Sequence, residues 1–203
     1  MEFWNSLLTE KSWKILQELN KKYRFIVIGG WAIYLWTKQQ KSKDIDIVVE
    51  INELQKLKQN NLIKNDRLKK YEIKLEEIDV DIYVEYFSEL AIPVSDLKKY
   101  SSKVEGFSVV LPEVLLILKQ KAEIDREYSV KGEKDRIDIM SILLFTKFDF
   151  KRYKIILKNY KLESYIDKLI KLVSEFSDYT KFGLTPRKLK LRKKKIIEEL
   201  RKV

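Results

Sequence analysis

The chain of 203 residues contains no cysteine and no histidine. That absence excludes disulfides, thiol nucleophiles, zinc sites of the usual Cys/His kind and imidazole as a general base. It also excludes any ribonuclease motif that pairs arginine with histidine. Whatever chemistry the protein performs must draw on carboxylates, lysines, hydroxyls or metals held by oxygen. Glycine and proline are scarce, at five and three residues, so Gly29-Gly30 and Pro112 stand out as punctuation. No long uncharged apolar run exists, and a membrane-spanning helix needs about 18 such residues or more. The N-terminal stretch MEFWNSLLTEKSWKIL carries acidic residues and no apolar segment of signal-peptide length, so the expectation is a cytoplasmic protein without membrane association.

What the chain has in quantity is charge. Asp, Glu, Lys and Arg make up 36% of it, and the net charge is +11 despite 31 acidic residues. A surplus of that size suits a polyanionic partner, nucleic acid foremost, and equally suits a soluble surface that is merely basic. Many charges with few loop-forming residues also suit a heat-adapted protein, although an AT-rich genome enriches the same lysines.

Apolar residues are 45% of the chain, and the length suffices for one large domain or two small ones. Asn5 to Leu19 reads as an amphipathic helix capped by Asn5 or Ser6. Tyr23 to Ile28 is a β-branched run stopped by Gly29-Gly30, and Trp31 to Thr37 follows as a helix. Asp44 to Val49 reads as a strand and Asn52 to Gln59 as a helix with Asn52 as its cap. Tyr71 to Leu75 and Ile78 to Tyr86 alternate as strands joined tightly through Glu76-Glu77. Phe107 to Leu111 is another strand, and Pro112 opens a helix reaching Ile124. Helical periodicity then dominates Asp138–Phe145, Phe150–Asn159, Glu163–Phe176 and Pro186–Arg201.

Strands first and helices afterwards predict an α+β arrangement, a β-sheet with flanking helices and a helical C-terminal half, or a β-containing domain followed by a separate helical one. The expected boundary separates residues 1–128 from 129–203. The last helix, rich in Lys and Arg with Leu189, Ile196 and Leu200 interleaved, suits docking on the body or gripping a phosphate backbone.

Three constellations carry chemistry. Gly29-Gly30 between strand and helix lets the backbone turn sharply, and the helix start offers free N–H groups to a phosphate. Alone, such a pair is more often plain turn chemistry. Asp44 and Asp46, two apart on a strand, face one side, where two carboxylates repel unless a cation such as Mg²⁺ or Mn²⁺ lies between them. An isolated Asp-x-Asp is nonetheless more often a solvated strand face. Asp79-Val80-Asp81 offers a third carboxylate, Asp81 preferred because Ile82-Tyr83-Val84 follows it and Asp79 second. Three carboxylates on neighbouring strands can hold two metals for nucleotidyl transfer.

Taken in order, FIVIGGWAIYL, SKDIDIVVE and EIDVDIYVEY resemble the nucleotidyltransferase superfamily typified by DNA polymerase beta. The resemblance covers about residues 23–86. It implies that Gly29 and Gly30 hold the triphosphate, that Asp44, Asp46 and Asp81 bind metal, and that Asp81 also deprotonates the attacking hydroxyl. A further stretch, Val110 to Ala122 with Arg126 and Lys134 to Ile139, is similar to the abortive-infection (AbiEii-type) nucleotidyltransferase toxins. This similarity implies Lys119 as a nucleotide lysine, Asp135 or Asp138 as a pocket carboxylate, and Ser42 in the Ser/Thr place of the toxin motif. The family's arginine is replaced by Gln40, leaving Lys38, Lys41 or Lys43 to supply the charge with poorer bidentate geometry.

The activity so implied is transfer of a nucleoside monophosphate from an NTP to a hydroxyl, with RNA such as tRNA as acceptor and an antitoxin protein as a partner. The rivals are transfer to a small antibiotic-like compound and a non-catalytic binding module of the same fold. Trp4, Trp13, Trp31 and Trp36 are packing residues or, at Trp31, a stacking surface for a base. Tyr83 and Tyr86 are similarly open.

Overall fold

Why the first half becomes a sheet follows from its short β-branched segments, each cut off by a turn. The computed structural model describes residues 6–202, so Trp4 and Asn5 lie outside the described residues. Two compact units emerge, Met1–Leu111 and Pro112–Val203. The division falls at Pro112, earlier than the expected boundary after residue 128, because the helix opened by that proline packs with the later helices.

In the first unit the chain runs α1 (Ser6–Lys22), β1 (Ile26–Ile28), α2 (Gly29–Thr37), β2 (Ile45–Val49), α3 (Ile51–Leu57), β3 (Ile63–Asn65), β4 (Lys70–Leu75), β5 (Ile78–Val84), β6 (Ser101–Val104) and β7 (Phe107–Val110). The seven strands form one mixed sheet in the order β3-β4-β5-β2-β1-β7-β6. β2 runs parallel to β5 and β1 parallel to β7, while the remaining neighbours are antiparallel. Val27, Ile45, Ile47, Val80 and Ile82 fill its centre without exposure.

Several expectations are corrected. α3 starts at Ile51 with Glu50 as its N-cap rather than Asn52, and a 3-10 turn at Lys58–Asn60 finishes it. β1 is only three residues long. β3 and β6 were not expected. β3 is short and exposed at the sheet edge, and β6 consists of polar residues apart from Val104, so neither carries an apolar period. Trp31 is wholly buried, donates its indole N–H to Ser12 Oγ at 2.8 Å and packs on Trp13 and Tyr34. It is a core residue and offers no face to a base. Trp36 donates to the Val110 carbonyl at 2.8 Å.

The second unit is helical: α4 (Pro112–Asp125), α5 (Val130–Phe145), α6 (Phe150–Asn159), α7 (Tyr165–Glu175) and α8 (Pro186–Arg201). α5 begins earlier than its apolar pattern suggested, because Ser129 caps it by accepting from the Gly132 amide. α4 packs on α5, α6 and α7, and α8 packs on α7. Buried Gln120 ties three helices together, donating to the Tyr165 carbonyl and accepting from the Tyr153 hydroxyl at 2.6 Å. Among the described residues no helix is long and apolar enough to cross a membrane.

Candidate active site

The sheet order puts β2 and β5 side by side at its centre, and their register decides the site. Asp46 on β2 lies directly opposite Asp81 on β5. Paired residues on neighbouring strands project from the same face, so the two carboxylates stand next to each other. Asp79 is exposed and lies opposite Lys74 on the other neighbour, β4. Of the two candidates, Asp81 is the one that sits beside Asp46. Burial and the Asp46 carboxylate push the Asp81 carboxyl up to about 6, against the pull of Lys70. The Tyr83 hydroxyl, two residues along on the same face, comes within 3.5 Å of Asp46 Oδ1.

Gly29 closes on the same point. β1 pairs with β2 so that Ile28 faces Asp46, and Gly29 then turns into α2 with φ of +64°. A Cβ at Gly29 would lie 2.2 Å from Asp46 Oδ2 and 2.8 Å from Asp46 Cβ. Glycine is therefore needed twice, for the left-handed backbone and for the space. The expected helix start at Trp31 moves back to Gly29, so both glycines form the first turn of α2. Its N-cap residue, Ile28, makes no side-chain capping hydrogen bond, and the first amide groups of a helix have no intrahelical partners.

Asp44 sits half-buried on the bend leading into β2, and Ser42 is buried two residues before it. Among the described residues no three carboxylates gather closely enough to enclose an ion. The structure brings Asp46 and Asp81 together and leaves Asp44 at the strand entrance. Of the lysines expected to replace the missing arginine, Lys38 is paired with Glu105 at 2.6 Å and Lys41 with Glu10.

Two residues at the site escaped the motif reading. Lys70 Nζ lies 2.5 Å from Asp81 Oδ2 and 3.0 Å from Glu72 Oε1. Glu72 is directly opposite Asp81 on β4, so Asp46, Asp81 and Glu72 form a row across three strands. The signal was present: counting back from the Glu76-Glu77 turn pairs Glu72 with Asp81. The oxygen donors suit a hard divalent cation, and a cationic group of the chain itself is already drawn to them.

In the second unit Lys119, Asp135 and Asp138 also come together. Lys119 Nζ is 3.1 Å from Asp135 Oδ1 and 2.7 Å from Asp138 Oδ2, with Arg126 Nε 2.6 Å from Asp135 Oδ2. The contact to Asp138 Oδ2 is an ion pair outside hydrogen-bonding geometry. Burial alone would raise the Asp135 carboxyl, but Lys119 and Arg126 overcome it and hold it below the usual aspartate value. The cluster staples α4 to α5.

The basic surplus is concentrated in this unit. Residues 112–203 hold 24 of the 42 lysines and arginines and 14 of the 31 acids, which is ten of the eleven surplus charges. On α8, Leu189, Ile196 and Leu200 are buried, while Arg187, Lys188, Lys190, Arg192, Lys194 and Lys195 are exposed.

No protein-family model matches the chain, and no curated protein sequence does. Solved structures do resemble it. JHP933 from Helicobacter pylori superposes with a TM-score of 0.52 at 19% identity, over 96% of this chain and 92% of that one. A second H. pylori protein, provisionally described as a nucleotidyltransferase, gives 0.52 at 18% identity over 96% of both chains. ANT(2")-Ia in complex with adenylyl-2"-tobramycin gives 0.51 at 11% identity, over 77% of this chain and 98% of that one. At such identities the likeness is one of fold, and the fold is nucleotidyltransferase-like α+β.

Proposed function

We propose that the protein is a metal-dependent nucleotidyltransferase that moves a nucleoside monophosphate from an NTP to a hydroxyl of an RNA acceptor such as tRNA. The observation that carries this reading is the register of Asp46 with Asp81 beside the Gly29 turn. Asp46 and Asp81 would hold Mg²⁺ or Mn²⁺ together with oxygens of the triphosphate, and Asp44 would join them only by moving in from the entrance of β2. Bound divalent ions neutralise the triphosphate and stabilise charge building up during displacement at phosphorus. The first turn of α2 at Gly29 and Gly30 would offer amide groups to phosphate oxygens, and Ser42 would add a hydroxyl donor.

Asp81, the carboxylate in register with Asp46, is the proposed acceptor of the proton of the attacking hydroxyl. The acceptor oxygen bonds to the α-phosphorus, the bond to the bridging oxygen breaks, and pyrophosphate leaves. In the helical unit, Lys119 with Asp135 and Asp138 is the proposed nucleotide-binding group. The concentration of positive charge in residues 112–203 favours a polyanionic acceptor over a cationic antibiotic. The toxin resemblance adds an antitoxin protein as partner, and growth arrest on expression that a neighbouring gene relieves is its test.

Incubation with each α-labelled NTP, Mg²⁺ and total tRNA tests the acceptor. Label on RNA that disappears in Asp44→Asn and Asp46→Asn supports the proposal. Label that appears only on an added aminoglycoside transfers the reading to small hydroxyl compounds.

A further inference from the structure

Lys70 has no place in the motif that singles out the carboxylates, yet its ammonium pairs directly with Asp81. It reaches Asp81 Oδ2 at 2.5 Å and keeps Glu72 Oε1 at 3.0 Å. The side chain is only 12% exposed, so the contact is a sheltered one. Glu72 is steadied in turn by Asn65, whose amide Nδ2 donates to the same Oε1 at 3.0 Å. Asn65 on β3 lies opposite Lys70 on β4, and Glu72 lies opposite Asp81 on β5. Four residues on three strands thus build a cation seat one strand beyond the Asp46–Asp81 pair.

We propose that Lys70 is a tethered counter-ion of the metal site: it holds Asp81 while no divalent ion is there and withdraws onto Glu72 when one binds. The inference rests on the proposed metal-dependent reading of Asp46 and Asp81. The physical need is plain. Two adjacent half-buried carboxylates repel, and without a cation they would cost the apo protein stability. A permanent lysine relieves that cost but competes with the metal for Asp81. Glu72 resolves the conflict, because a short movement leaves Lys70 with an anionic partner and frees both Asp81 oxygens. Lys70 is thereby a positioning residue, acting through Asp81 and not on the substrate.

The test is Mn²⁺ binding to the full chain, read from the electron paramagnetic resonance of the free ion, with no nucleotide present. Lys70→Met removes the competing charge and should bind Mn²⁺ about tenfold more tightly than wild type, as expected for one unit charge beside a dication. Lys70→Gln is the substitute if Met disturbs folding, and Lys70→Arg should stay near wild type. A plain field effect and a displaced lysine are separated by Glu72→Gln in both backgrounds. If Glu72 receives Lys70, Glu72→Gln weakens binding more in the wild-type background than in Lys70→Met. Equal losses in the two backgrounds, or no tightening in Lys70→Met and Lys70→Gln, overturn the inference. Wild type that binds Mn²⁺ no better than Asp46→Asn overturns the metal reading itself, and with it the premise.

Discussion

The Cβ that Gly29 lacks would sit 2.2 Å from Asp46 Oδ2 and 2.8 Å from Asp46 Cβ. The second distance matters more than the first, because rotating the carboxylate away cannot relieve a clash with its own Cβ. The glycine of the turn and the carboxylate of the neighbouring strand therefore fit only together. Gly29→Ala adds this overlap to a backbone at φ of +64°, which by itself costs about 1–2 kcal/mol for an L residue. The expected outcome in chemical denaturation is a loss of about 2–4 kcal/mol. Mn²⁺ affinity should fall with it, because Asp46 is pushed aside. A stable Gly29→Ala protein with unchanged metal binding would mean that the two residues are not coupled.

Asp81 titrates high because it is buried and because Asp46 is its neighbour. Asp46→Asn removes the second cause, so the Asp81 carboxyl should move down from about 6 toward the ordinary aspartate value of 3.8. Carbon-detected NMR of the carboxyl groups measures this directly. The stability consequence has a definite sign. A folded value above the unfolded one contributes stability below the unfolded pKa, and that contribution is lost as pH rises through about 6. In metal-free buffer, Asp81→Asn should therefore gain on wild type as pH rises from about 4 to about 8. Metal binding should weaken below about pH 6, where Asp81 takes up its proton.

The Lys119 cluster runs the other way. Asp135 is 1% exposed and carries two cationic partners. Its lowered pKa means stability that is present above the ordinary aspartate value and lost as pH falls through the lowered one. Asp135→Asn should cost about 3 kcal/mol near neutral pH, the lower end for breaking a buried ion pair, since Lys119 retains Asp138. The deficit should close in strong acid. Thermal unfolding across pH checks both statements.

The exposed cations of α8 bear on the acceptor. Replacing Arg187, Lys188 and Lys190 with glutamine leaves the buried residues Leu189, Ile196 and Leu200 untouched. Fold stability should be preserved while RNA affinity drops. The slope of log affinity against log salt should shrink by about 0.7 for each phosphate of single-stranded RNA that is no longer neutralised. An unchanged slope would remove α8 from the interface.

The sequence made the sheet's central strands legible because each is an apolar run with a turn at its end. Asp46 and Asp81 could be singled out as well, since alternation assigns each to the face opposite Ile45, Ile47, Val80 and Ile82. The edge strands were illegible for a physical reason. Ile63–Asn65 is exposed on its apolar residue and Ser101–Val104 is mostly polar, so pairing partners and not an apolar period make them strands. Trp31 is open in the sequence between packing and stacking on a base, and burial decides for packing, with its indole N–H spent on Ser12 in the core. Lys70 and Glu72 were within reach through the hairpin register, but a search for carboxylate pairs passes over a lysine.

Pyrophosphate release probes nucleotidyl transfer without requiring the acceptor to be known. Purified protein would be given the four NTPs and Mg²⁺, with total RNA in one series and an aminoglycoside in another, beside Asp46→Asn. A nucleotidyltransferase built on Asp46 and Asp81 should release pyrophosphate only with Mg²⁺, in step with the nucleotide attached to one acceptor series, and the variant should release none. Release at the same background rate in wild type and Asp46→Asn, under every acceptor condition, would contradict nucleotidyl transfer at this site.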